Sequence, residues 1–223
     1  MSPLSSADTE TEGVTTDAAR EAAVAEFAEA LGDVCLETHV FPGVDCWIRV
    51  ATDGWLQAAQ VARHELNYRY IDFVSVIDWM PSPYGRDMDT EQDRDPNAVA
   101  DVEAMQHGVT GGDTRMQAIG RVHSLITNIG VNIKCDIPDD TLTLDSWISV
   151  FGGVNWHERE AYEMFGVAFT GHPGLRHLYL PGDFEGNPMR KDFPLLARRV
   201  KPWPGIVDVE PMPDTGDDGG GES

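Results

Sequence analysis

The sequence predicts an α+β domain: a small mixed or antiparallel sheet with helices packed on one face, followed by a long irregular C-terminal arm. Three observations predict it. Two early segments carry apolar residues at helical spacing, several later ones alternate with strand period, and the last part of the chain is broken by recurrent proline. In chain order, residues 1–16 are small and polar and read as a disordered lead. Asp17 can cap a helix that runs to Leu31. Val24, Phe27, Ala28 and Leu31 mark its apolar stripe and Gly32 stands at its stop. A short strand follows over Cys46–Ala51, carrying Trp47, Ile48 and Val50. Asp53 then caps a second helix with the stripe Trp55, Ala59, Ala62 and Leu66.

Tyr70–Trp79 reads as the strongest strand, with Ile71, Phe73, Ile77 and Trp79 on one face and Asp72 and Asp78 on the other. Residues 81–114 lose all period and read as a long inserted surface loop. Met116–Thr127 and Val131–Ile137 read as paired strands, with Asn128-Ile129-Gly130 as the hairpin loop. A short helix is expected around Asp145–Phe151. The domain thus runs over residues 17–170, and residues 171–223 form the arm, with an acidic disordered end.

Composition excludes several functions. The 223 residues carry 16 Lys and Arg against 38 Asp and Glu, a net charge of −22. Such a chain is a poor ligand for nucleic acid, where affinity comes from neutralising phosphates, and anionic lipid repels it. The N-terminus has neither a basic region nor an apolar core, so no signal peptide is expected there. No stretch reaches the roughly 18 apolar residues of a membrane span, so membrane contact is expected only through a partner. Three cysteines, Cys35, Cys46 and Cys135, form no C-x-x-C pair and read as buried free thiols of a reducing cytoplasm.

Few motifs carry chemistry. His157-Glu158-Arg159-Glu160-Ala161 approaches a zinc-protease helix, but Ala161 stands where the second histidine is needed. His172 and His177 lie across a Pro-Gly turn with no cysteine nearby, so no metal site is expected. Asp87, Asp89, Glu91, Asp93 and Asp95 lack the ligand pattern of an EF-hand and read as a solvated charge run. No phosphate-binding glycine loop, nucleophile elbow or iron–sulfur cysteine cluster is present in the sequence. A structural account fits the same helix better. Asn155 can cap it with Glu158 closing a capping box, and Gly166 can end it after Phe165. Ala161 and Phe165 share a face, and Arg159 and Glu163 are spaced to meet on the surface. Beyond it, Pro173, Pro181, Pro188 and Pro194 forbid regular structure, while Leu175, Leu178, Tyr179, Leu180, Phe184 and Met189 are too apolar to stay in water. The arm must therefore lie across a surface, its own or a partner's, and a partner is favoured.

At these residues the chain resembles the C subunit of proton-pumping NADH–quinone oxidoreductase, respiratory complex I, the 30 kDa subunit family. The first family motif is matched from Glu158 to Phe169, and the second, L-P-x-D-F-x-G-x-P-L-R-K-D-F-P, from Leu180 to Pro194. Glu163 stands where the family usually has Asp, Met189 where it has Leu, and the 81–114 loop is longer than usual. The resemblance implies a peripheral subunit on the cytoplasmic side of the cell membrane. It would dock mainly on the D subunit of the complex, near the B subunit and the neighbouring iron–sulfur subunits. No cofactor is implied in this chain, since NADH, FMN, iron–sulfur clusters and quinone belong to the complex, and no catalytic residue is implied either. The signature and interface positions carried over are Glu158, Arg159, Glu160, Glu163, Phe165, Gly166, Phe169, His172, Pro173, Arg176, Asp183, Phe184, Gly186, Pro188, Arg190, Lys191, Asp192, Phe193 and Pro194. Of these, Glu158, Arg159, Glu160 and Glu163 would anchor the helix, and Arg190, Lys191 and Asp192 would meet the D subunit. A related membrane-bound dehydrogenase or hydrogenase complex with another electron donor is the alternative.

Overall fold

The computed structural model describes residues 16–81 and 104–193. The first expected helix forms as α1 (Ala18–Leu31). The Asp17 carboxylate accepts from the Arg20 N–H at 3.2 Å, and Gly32 ends the helix at φ +57°. Val24, Phe27 and Leu31 are buried as the spacing predicts; Ala28 is half-buried and Ala23 joins the core.

A strand absent from the sequence reading follows, β1 (Cys35–Phe41), paired antiparallel with β2 (Asp45–Val50). As an edge strand β1 is exposed from Leu36 to His39, so neither of its faces shows the alternation that marks a buried strand. β2 is the strand expected over Cys46–Ala51, with Cys46, Ile48 and Val50 buried. The second helix begins differently from the expectation. A 3-10 turn, Thr52–Gly54, precedes α2 (Trp55–Gln60), so Asp53 lies within that turn and Gly54 holds the N-cap position. The helix then widens into a π turn over Val61–Glu65, where the Leu66 N–H donates to the Val61 carbonyl at 3.0 Å. Its stripe survives the change of pitch: Trp55, Ala59 and Ala62 are buried.

β3 (Tyr70–Asp78) exists as expected, but its faces are exchanged. Ile71 pairs with Val122 and Phe73 with Arg121, so Asp72 is an extra residue in a bulge. Ile71 therefore shares the core face with Val74, Val76 and Asp78, and Phe73 and Ile77 turn to the other side. β4 (Met116–Ser124) and β5 (Ile129–Ile137) pair antiparallel through a turn at Leu125–Asn128. The turn ends on Asn128 at φ +55°, and Ile129 and Gly130, expected in the loop, belong to β5. The short helix expected over Asp145–Phe151 shrinks to a 3-10 turn, Trp147–Ser149, capped by the Ser146 hydroxyl. A small parallel pair, β6 (Thr143–Asp145) and β7 (Ala168–Thr170), brackets α3 (Val154–Phe165).

The main sheet has the order β1-β2-β5-β4-β3, with β2 and β5 parallel and the other pairs antiparallel. β5 lies at its centre and is buried along its whole length. One face carries the core, where Ile48, Val76, Val122, Ile133 and Ile137 meet Phe27, Trp55, Trp147, Phe151 and Phe165. Trp55 and Trp147 stack at 4.1 Å, and the Trp147 indole donates to the Trp55 carbonyl at 2.9 Å. A Cβ at Gly120 would overlap the Trp147 ring, so β4 needs glycine there.

The opposite face is polar and partly covered. The buried Lys134 ammonium donates to the carbonyls of Val109 (2.7 Å) and Gly111 (3.1 Å) and lies over the Trp79 ring. Gln117 joins Gly111, Asp136 and the Trp79 indole. Residues 104–114, the end of the expected surface loop, are therefore irregular but fastened to the sheet. The lead up to residue 15, the Asp87–Asp95 acidic run and the acidic tail lie outside the described residues. Cys46 and Cys135 are buried free thiols, and Cys35 is a half-buried one.

Candidate interaction site on the signature helix

α3 starts with a different cap from the expected one. Gly153 holds the N-cap position, Asn155 lies inside the helix, and Glu158 does not turn back to close a capping box. Its carboxylate is fully buried instead. It accepts from the Ser146 hydroxyl at 2.5 Å and from the Trp147 N–H at 2.7 Å, tying α3 to the segment after β6. Burial pushes this carboxyl up to about 7, against the downward pull of those two donors.

Arg159 and Glu163 are also buried, and they do not meet as a surface pair. Each grips the backbone of the arm. Arg159 donates to the carbonyls of Arg176 (3.1 Å) and His177 (3.0 Å). Glu163 accepts the next three amides, from Leu178 (2.9 Å), Tyr179 (2.9 Å) and Leu180 (3.3 Å). Burial raises the Glu163 carboxyl, but the three N–H donors, helped by His177, hold it below the ordinary value. The side chains thus complete the hydrogen bonding of a proline-broken segment that cannot form a ladder of its own.

The arm then follows the C-terminal end of α3. Gly166 ends the helix at φ +75°, and its bare Cα faces Asn187 and Arg190. The otherwise unpaired carbonyls of the last turn are taken by the arm: Asn187 donates to Glu163, Met189 N–H to Met164, and Arg190 to Phe165 at 2.6 Å. Beyond this, Asp78 at the end of β3 accepts the Lys191 N–H at 2.9 Å. Arg115 joins the Asp78 and Asp192 carboxylates, with two bonds to each. Burial raises the Asp78 carboxyl, yet Arg115 and the Lys191 and Met80 N–H groups outweigh it and hold it low.

The remaining positions divide between core and surface. Phe165 and Phe169 are core residues, and Glu160 is half-buried on the outer side of α3. His172 is within 3.2 Å of the Asn155 carbonyl and His177 within 3.0 Å of the Pro181 carbonyl. Phe184 packs near Phe193, with Gly186 at φ +97° beneath the Phe193 ring. Pro188 is half-buried, while Pro173, Arg176, Asp183, Lys191 and Asp192 are exposed. Pro194 lies outside the described residues. Of the two surfaces open to the arm, its own domain's is the one it takes along α3, with the outer side of the arm left exposed at Tyr179 and Met189. Arg190 and Asp192 each bond within the chain, and Lys191 and Asp192 remain exposed. Sequence reading missed Ser146, Asp78, Arg115 and Asn187. Only the Val74-Val76-Asp78 alternation could have put Asp78 on the buried side.

Among the described residues, no group of three His, Cys, Asp or Glu side chains could hold a metal ion. What the geometry defines is an α+β domain that fastens a proline-broken arm along a charged helix. The model of the family described as the 30 Kd subunit of respiratory-chain NADH dehydrogenase matches residues 48–199, and the chain belongs to that family. The C subunit of NADH-quinone oxidoreductase from Xanthobacter autotrophicus is 45% identical over 82 residues, which are 37% of this chain and 39% of the relative. The C/D subunit of the same enzyme from Pectobacterium atrosepticum is 29% identical over 168 residues, 72% of this chain but 25% of the relative. The chain thus spans well under half the length of these relatives. Among solved structures, an archaeal membrane-bound sulfane sulfur reductase has a chain with the same fold. Its TM-score is 0.59 at 19% identity, covering 84% of this chain and 92% of that one.

Proposed function

We propose that this chain is a non-catalytic structural and assembly subunit in the peripheral arm of a proton-translocating NADH–quinone oxidoreductase. It docks on the D subunit near the B subunit that carries the terminal iron–sulfur cluster, on the cytoplasmic side of the cell membrane. The observation that carries this reading lies in the names of the relatives: several join C and D in one chain, and a fused chain keeps its two parts adjacent. The surface supports it. Trp156 on α3 is 68% exposed and Tyr179 on the arm 64%, both large aromatic groups on elements that the clamp makes rigid. Electron carriers belong to other subunits in this reading. No helix of the described residues is long and apolar enough to cross a membrane. In this reading the contact with the bilayer runs through the complex.

Affinity purification of the full chain from membranes tests this. The D and B subunits should co-purify with NADH-dependent quinone reduction, and Arg159→Ala should lower the assembled complex several-fold while the isolated chain stays folded. A chain that purifies alone overturns the proposal. A second reading, a related complex with another electron donor, draws on the sulfane sulfur reductase neighbour. It predicts co-purified subunits whose activity does not depend on NADH.

A further inference from the structure

The largest exposed aliphatic side chains of the described residues stand together, away from the arm's anchorage. Leu125 is 74% exposed and Ile126 is 77% exposed, side by side at the tip of the β4–β5 hairpin. The strands behind them are rigid: β5 is fully buried, and the turn is closed by the Asn128 N–H to the Ser124 carbonyl at 2.9 Å. Asn67 and Arg69 complete a shallow cleft with the two aliphatics. Both sides of it are shaped by left-handed asparagines, Asn67 at φ +61° and Asn128 at φ +55°. Tyr70, also exposed, lies at the start of β3, where it pairs with His123. This is the opposite end of β3 from Asp78 and the arm.

Charge narrows the occupant. In a chain of net charge −22 the cleft is lined by one cation, Arg69, and no acid. Residues 125–130 hold no carboxylate, and Arg69 is exposed with no ion-pair partner among the described residues. The preceding turn is balanced, Arg63 against Glu65, and so leaves the Arg69 charge uncancelled. A bilayer fits poorly, because anionic headgroups repel so acidic a chain and one free arginine does not offset that. A second copy fits poorly too, because it would set two Arg69 cations face to face inside two strongly acidic chains. We infer that the hairpin tip is a second docking knob, which seats Leu125 and Ile126 in an apolar pocket of a protein partner whose carboxylate rim pairs with Arg69. Small apolar anchors with a charged rim are the usual anatomy of such contacts.

A photoreactive amino acid at the exposed Thr127, in the full chain within its membrane complex, tests this. The expected adduct is with one protein partner, at a peptide combining apolar and acidic residues. Replacing both anchors, Leu125→Ser with Ile126→Ser, should lower its yield about thirtyfold, as loss of a buried anchor does. Arg69→Glu should lower it roughly two- to fivefold, and added salt should weaken the wild-type contact to a similar degree. The isolated variants should keep the wild-type circular dichroism and thermal midpoint, since all three side chains are exposed. An adduct with lipid, an adduct with a second copy, no adduct, or an unchanged yield in the double variant would each overturn the inference.

Discussion

Glu158, Arg159 and Glu163 occupy three positions of one short helix and solve three different problems. Arg159 and Glu163 replace missing backbone partners, so each charge is met by dipoles rather than by an opposite charge. Glu158 is the exposed-looking residue of a charge-dense motif that the fold buries completely. Its carboxyl is raised from 4.5 to about 7, so the folded state holds a proton that the unfolded state has already lost. The stability linked to this proton is fully present below about 4.5 and is lost as pH rises through about 7. Urea unfolding should therefore show a loss on the order of 3 kcal/mol across that window, attributable to this group. Glu158→Gln should remove that slope and be at least as stable as the wild type at pH 8. A slope that persists unchanged in the variant would assign it to other groups.

At the scale of elements, the arm and α3 form one unit, and Gly166 is its hinge pin. A Cβ there would lie 2.6 Å from Arg190 Nη2 and 2.8 Å from Asn187 Oδ1, on a backbone already at φ +75°. Gly166→Ala should cost about 1 to 2 kcal/mol in urea unfolding and make residues 187–190 more sensitive to protease. An unchanged midpoint would mean that the arm does not constrain the helix end. Much of this level was legible beforehand. α1, β2, β3 and the end of α3 at Gly166 follow from spacing and glycine placement. What was hidden has local causes. β1 is an edge strand with no buried face to advertise. The Asp72 bulge exchanges the faces of β3 without any change in composition. The Arg159–Glu163 spacing is the same whether the pair meets in water or separates to hold an arm. Only the tertiary path of residues 176–180 decides between these.

At the scale of the molecule, the fold places two surfaces near opposite ends of β3. One end ties the arm to the sheet through Asp78, Arg115 and Asp192; the other carries the apolar hairpin tip beside Arg69. The family was legible from two motifs, but their charges read as an interface with a partner. The structure turns three of them inward, Glu158, Arg159 and Glu163, where they hold the surface together rather than form it. That inward role is the central claim, and hydrogen exchange at the amides of Leu178, Tyr179 and Leu180 in the full chain tests it most directly. These amides should be protected in the wild type. They should exchange roughly ten- to a hundredfold faster in Glu163→Gln, while the amides of β5 keep their protection. Amides that exchange freely in the wild type, or equally in both proteins, would contradict it.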